Sequence, residues 1–363
     1  MAQYRNINTR SPFYVQLATT EASTNLEIRL WYGDVSTNKP VDATYILDKE
    51  QSDGQSTFEI AELIRDYCSQ GSDDTSGTVW VETILNDSVA TPTSAIYLAS
   101  EGYSLYNEGI QHNGNSFETD FVALPKLGPD TYRQATFATA PTWFKVYVQP
   151  QNATDWKYRT NTNGVYGSYI TFPVETDNDK IFKTVYALPT VDFIEFDFNG
   201  TTRTVYMDLF ECTQYSNAEI SSLFDRPITL QYANKSGTRS TMIFTLKHTE
   251  DISVSSDGFQ RNTMNVSNLT NNSGLHASRK RITGSKQSFV INTDWINEYY
   301  VKQIEELIMS EYVWASIPHL GTVNFQPVNL TTKNLSKKNH LNDKLIQYTL
   351  KMVTASEYIN TVR

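Results

Sequence analysis

Hydrophobic and polar residues alternate with a period of two along most of this chain, which predicts strands. Residues 26–32 show it most strictly: Leu26, Ile28 and Leu30 fall on one face, Glu27 and Arg29 on the other. Residues 13–17, 43–47, 78–85, 95–99 and 103–106 read as further short strands. Gly33-Asp34 supplies a turn signal, and Asp53-Gly54 a hairpin dipeptide, because both positions of a type I′ turn need positive φ. One stretch breaks the alternation. Ile60, Leu63, Ile64 and Tyr67 are spaced for a short helix or turn. Some seven short strands within residues 1–108 predict an immunoglobulin-like β-sandwich, although the cysteine–tryptophan–cysteine pattern of true immunoglobulin domains is absent.

Between 109 and 140 the periodicity is interrupted by Gly109, Gly114, Pro125, Gly128 and Pro129. This stretch is expected to be a linker or an arm crossing to a neighbouring subunit. Alternation resumes at Trp143 and predicts a second β region over residues 141–363. Asn199-Gly200 is expected to join two of its strands as a hairpin. Ser216 and Glu219 have capping-box spacing, which predicts a short helix over 216–224. Residues 255–285 are polar and predict a loop. Near the end, Asn292 or Thr293 is placed to cap a helix over about 294–309, with Ile296, Tyr300, Ile304, Leu307 and Ile308 as its apolar stripe. Residues 345–353 predict a long last strand. The fold class expected is therefore mainly β, with one packed helix.

Composition agrees with sheet: 22 Tyr, 17 Phe and 6 Trp suit pleated, half-buried surfaces. No run of about 18 apolar residues occurs, so no membrane span is expected. The opening residues carry no apolar core of a secretory signal. Cys68 and Cys212 are far apart in apolar surroundings and read as two buried thiols, which suits synthesis in a reducing cytoplasm. Charge changes the picture more. The net charge is −10, and residues 1–108 hold 6 basic against 16 acidic groups, whereas residues 275–363 hold 11 against 7. An acidic front is repelled by phosphates, so tight wrapping of nucleic acid is not expected. The basic groups Arg279, Lys280, Arg281, Lys337 and Lys338 are the candidates for touching DNA or an acidic neighbour.

Catalytic patterns are not found. No glycine-rich phosphate loop, nucleophile elbow or zinc-protease motif occurs. His112, His248, His276, His319 and His340 lack metal-ligand spacing, and Asp192, Glu195 and Asp197 read as charge on the surface of a strand. No enzyme activity and no cofactor or metal are expected.

Two stretches carry a resemblance. The first is residues 10–17, 26–34 and 58–67. The second joins the capped helix at Glu305–Val313 with residues 327–335 and 342–350. Together they resemble bacteriophage tail structural proteins with a tail-tube-like domain, as in crAss-like phages of Bacteroidetes. That likeness implies a tail-tube-like β-barrel or sandwich over 141–363. It implies a virion protein, made in the host bacterial cytoplasm, that forms a homo-oligomeric 6- or 12-fold ring or hub around the DNA channel. Its partners would be neighbouring tail or portal proteins and passing phage DNA, with no membrane. Tyr299, Tyr312 and Trp314 would then suit subunit interfaces. The alternative reading is a carbohydrate-binding β-sandwich adhesin, whose exposed Trp31, Trp80 and Trp156 would stack on sugars.

Overall fold

A computed structural model describes residues 5–18, 23–68, 77–86, 92–105, 115–116, 122, 124, 131–136, 143–148, 156–172, 177, 181–186, 190–198, 200–209, 227–246, 248–265, 267, 270–271, 274–317, 325–336 and 345–358. The fold is mainly β, in several sheets, with little helix.

The N-terminal sheet has six strands in the spatial order Tyr45–Glu50, Ser23–Trp31, Val79–Asn86, Thr93–Ser100, Arg5–Asn8, Asn115–Ser116. All neighbours are antiparallel except Arg5–Asn8, which runs parallel to Thr93–Ser100. Alternation sorts its side chains as expected, with Leu26, Ile28 and Leu30 buried and Glu27 and Arg29 half-buried. That face meets the strand pair Tyr14–Ala18/Gln55–Glu59 and the single-turn helix Ala61–Arg65, which contribute Val15, Phe58 and Ile64 to one core. The opposite face is buried too: Trp31, Trp80 and Leu98 enter a second core with the central strands. The Asp53-Gly54 turn has φ of +51° and +77°, the two positive values that a type I′ turn demands.

The central sheet runs Val165–Tyr166, Trp156–Thr162, Phe193–Phe198, Thr201–Leu209, Thr131–Thr136, with Ile170–Thr171 also on Trp156–Thr162. Phe198 pairs with Thr201, so the expected two-residue hairpin is present. Its inner face (Trp156, Ile194, Phe196, Val205) packs on the strand pair Trp143–Tyr147/Phe182–Tyr186. This corrects the expectation of a linker over 109–140. Thr131–Thr136 lies parallel to Thr201–Leu209 as a full member of the sheet, and Val122 and Leu124 are buried in the same core. Apolar residues at 122, 124 and 132 outweigh the glycines and prolines between them.

The C-terminal sheet has seven strands: Arg239–Phe244, Ile228–Ala233, Val313–Ser316, Gln326–Leu330, Thr349–Thr354, Ser278–Asn292, Thr249–Gln260. Its core is separate from the one that the central sheet shares with Trp31, Trp80 and Leu98. The helix over this sheet is Val301–Met309, preceded by the 3-10 turn Glu298–Tyr300, and so starts later than expected. Asn297, whose side chain accepts from the Tyr299 N–H, caps it. Asn292 and Thr293 are held elsewhere: Asn292 ends a strand, and the Tyr348 N–H donates to Thr293 Oγ1 at 2.8 Å. The expected apolar stripe does face the core, with Ile296, Tyr300, Ile304 and Leu307 all buried. The long last strand is divided into Leu345–Ile346 and Thr349–Thr354, because Ile346 pairs with Ile296 and not with Ser278–Asn292. Residues 216–224, Cys212, Lys337 and Lys338 lie outside the described residues. Cys68 is buried as expected, and burial pushes its thiol far above the usual range.

Candidate interaction surfaces

The 255–285 loop expectation is overturned. Thr249–Gln260 and Ser278–Asn292 form one long antiparallel ribbon, in register from Thr249–Val290 out to Gln260–Ser278. Of the ribbon, Thr349–Thr354 pairs only with Ser288–Asn292. From Ile252 to Gln260 the ribbon therefore has no third strand among the described residues, a stretch of roughly 30 Å at the usual strand rise. A β-bulge at Ser255/Ser256 accommodates the extra residue Thr283. Polar composition hid the ribbon, since its side chains have no core to enter: all of Thr249–Gln260 is exposed or nearly so.

Register fixes which side chains share a face. Ile252 opposes Gln287, Val254 opposes Ser285, and Ser256 opposes Ile282, so one face carries the exposed Ile252, Val254 and Ile282. The other face carries Asp257 opposite Arg281 and Phe259 opposite Arg279. The candidate triad is thus split, with Arg279 and Arg281 on one face and Lys280, opposite Gly258, on the other. The two strands also differ in charge. Thr249–Gln260 holds Glu250, Asp251 and Asp257 and no basic residue; Ser278–Gln287 holds Arg279, Lys280, Arg281 and Lys286 and no acidic one.

The aromatic residues singled out for sugar stacking do not present a surface. Trp31 is 5% exposed, Trp80 0% and Trp156 1%. Trp80 Nε1 donates to the Gly33 carbonyl at 3.0 Å, as a structural tryptophan does. Of the interface candidates, Trp314 is buried under the Arg239 guanidinium, which sits 4.3 Å from the ring centroid, Tyr312 is half-buried and Tyr299 is exposed. Glu195 and Asp197 are neutralised across the strands by Arg159 at 2.5 Å and Lys157 at 3.3 Å. His248 and His276 lie among the described residues, where no group of three or more His, Cys, Asp or Glu is gathered to hold a metal ion. His112, His319 and His340 lie outside them. No helix among the described residues is long and apolar enough to cross a membrane.

No family model matches the chain, and no curated protein does. Among solved structures, one match is the periplasmic chaperone SfaE, at 12% identity over 58% of this chain and 97% of that one, with a TM-score of 0.18. A likeness at that TM-score carries no argument about fold or function.

Proposed function

We propose that this chain is a structural subunit of a bacteriophage tail, closing with copies of itself into a ring or hub around the DNA channel. The observation that carries this reading is the ribbon Thr249–Gln260/Ser278–Asn292. A two-stranded ribbon is marginal alone in water, and long unpaired strand edges are templates for further pairing. Here one edge is acidic and the other basic. A head-to-tail contact needs two different, complementary surfaces on each copy, and closes when the rotation permits. Setting the basic edge of one ribbon beside the acidic edge of the next supplies both. The contact would use residues 278–283, because nearer the sheet the outer side of the basic strand is occupied: Tyr358 N–H donates to the Ser285 carbonyl at 3.0 Å.

The sequence resemblance to phage tail proteins supports the same reading. On this reading the protein would belong to the virion, made in the host cytoplasm, with neighbouring tail or portal proteins as its other partners. Arg279 and Arg281, on one face of the ribbon, are the groups that would touch passing DNA. The function asks for no turnover of a substrate.

Light scattering after size exclusion tests the assembly. The expected result is one discrete oligomer. Arg279→Glu together with Arg281→Glu should break it into monomers. Adding Asp251→Lys and Asp257→Lys to that variant should restore it. A wild-type chain that stays monomeric at every concentration reached would overturn the ring.

A further inference from the structure

We infer that the outward face of the central sheet is a binding site for a neutral oligosaccharide, on residues unrelated to the ribbon. Five strands and two turns bring a row of aromatic rings and charged groups to this face. Lys157 Nζ lies 4.8 Å from the Tyr169 ring centroid. Arg159 lies 4.7 Å from Tyr169 and 4.0 Å from Tyr166. Tyr166 meets Phe193 edge-on at 5.8 Å, and Phe193 meets its cross-strand neighbour Tyr206 at 5.7 Å. Arg133 then sits between Tyr206 and Tyr299, at 5.4 and 5.2 Å. The rings stay open to solvent: Tyr166 is 49% exposed and Tyr169 42%.

Charge pairing decides what such a face takes. Each cation has a carboxylate of its own. Lys157 pairs with Asp197 at 3.3 Å, Arg159 with Glu195 at 2.5 Å, and Arg133 with Asp208 at 2.6 Å. The row is therefore electrically neutral. An anionic ligand such as nucleic acid finds no unpaired cation in it, and the chain's net charge of −10 repels it further. A dry protein interface fits poorly as well. Its centre would have to strip water from three ion pairs, each costing several kcal/mol per ion before any gain. A sugar asks for neither. Its C–H faces lie on aromatic rings, and its hydroxyls both donate and accept. Each paired carboxylate and guanidinium on this face can therefore exchange water for a hydroxyl without losing its partner. The rings are also held in advance. Arg159 is clamped between Tyr166 and Tyr169, and Tyr169 Oη donates to Glu195 at 3.3 Å, so little side-chain freedom remains to be lost on binding.

The site does not rest on ring assembly and is read out separately. The full-length protein is titrated with maltohexaose, cellohexaose, chitohexaose, xylohexaose and mannohexaose by calorimetry. Binding of at least one is expected. Tyr169→Ala and Tyr206→Ala should each weaken it at least tenfold, about 1.4 kcal/mol. Tyr186→Ala removes a still more exposed tyrosine from the strand pair Trp143–Tyr147/Phe182–Tyr186 and should leave binding unchanged. Failure of all five sugars to bind would overturn the site, as would binding that survives both platform variants. Loss of the oligomer in Tyr169→Ala, without loss of a sugar, would assign the face to a protein partner instead.

Discussion

Gly237 lies against the backbone of Gly102, so closely that a Cβ on Gly237 would sit 2.5 Å from the Gly102 nitrogen and 2.7 Å from that of Glu101. The turn 234–238 of the C-terminal sheet is thereby seated in the N-terminal unit. Ser100 Oγ donates to the Ser236 carbonyl at 2.9 Å, and Tyr103 N–H to the Lys235 carbonyl at 2.9 Å. Gly237 also has φ of +74°. Gly164 has nearly the same φ, +77°, with nothing near its absent side chain. Gly164→Ala should therefore cost only the left-handed backbone strain, about 1 kcal/mol, while Gly237→Ala adds a backbone collision and should cost roughly 3 kcal/mol or more. Urea unfolding of the two variants measures the difference.

Beside that seam two carboxyls are held well above their ordinary range. Burial pushes Glu101 up to about 7, with Glu311 adding to the shift and Arg65, Tyr312 and Arg10 opposing it. Burial also pushes Glu306 up to about 7, with Glu305 adding to it and the Lys235 backbone N–H and Lys302 opposing it. Glu101 is almost fully inaccessible, and its Oε2 has no hydrogen-bond partner. A raised folded-state value means that the native protein keeps a proton which the unfolded chain releases near pH 4.5. Stability is full below that value and is lost as pH rises through about 7. For Glu101 alone the loss is on the order of 3 kcal/mol. Denaturation at about pH 5 and about pH 8 should show the fall, and Glu101→Gln should flatten it. A Glu101→Gln variant with the wild-type pH slope would refute the assignment.

The strands were legible wherever one face is buried, as at Leu26, Ile28 and Leu30, because alternation is the imprint of a half-buried sheet. The ribbon left no such imprint. Ile252 and Val254 alternate with serines, yet among so many polar residues they read as a loop, since both faces meet water. Thr131–Thr136 was obscured for the opposite reason: its flanking glycines and prolines outweighed a single buried Tyr132. The tryptophans misled because exposure cannot be read from residue type. Trp80 lies in a strand buried on both faces, with Val79 and Val81 facing one core and Trp80 the other. The row from Lys157 to Tyr299 was invisible in sequence, because its members come from seven separate elements and meet only through the tertiary fold.

The ribbon's lack of a core gives a sharp separation of folding from assembly. Residues 256–260 and 278–282 bury little, whereas Ser285, Gln287 and Phe289 are buried at its base. Replacing residues 256–282 with a short glycine-containing turn should shift the melting temperature by no more than about 1–2 °C, corresponding to roughly 1 kcal/mol in a chain of this size. The same excision should abolish the discrete oligomer in light scattering. A variant that still assembles would move the self-association surface off the ribbon.

Glu82 tests the opposite sign of pH dependence in the same fold. It is buried on the face of the N-terminal sheet that holds Trp80, and burial alone would raise its carboxyl. Lys39 Nζ at 2.6 Å, Ser94 Oγ at 2.6 Å and Arg29 at 3.4 Å overcome burial and hold it below the ordinary value. A depressed carboxylate stabilises the fold above its unfolded value, and that contribution is lost as pH falls. Lys39→Met removes the nearest cation while Arg29 and Ser94 stay, so the loss at neutral pH should be about 2–3 kcal/mol, below the full 3–5 kcal/mol of a stranded buried charge. Toward about pH 4 the wild-type and variant stabilities should converge, because Glu82 in the variant takes up a proton and no longer needs its partner. Paired denaturation curves at the two pH values measure this, and a penalty that stays constant with pH would show that Lys39 contributes packing alone.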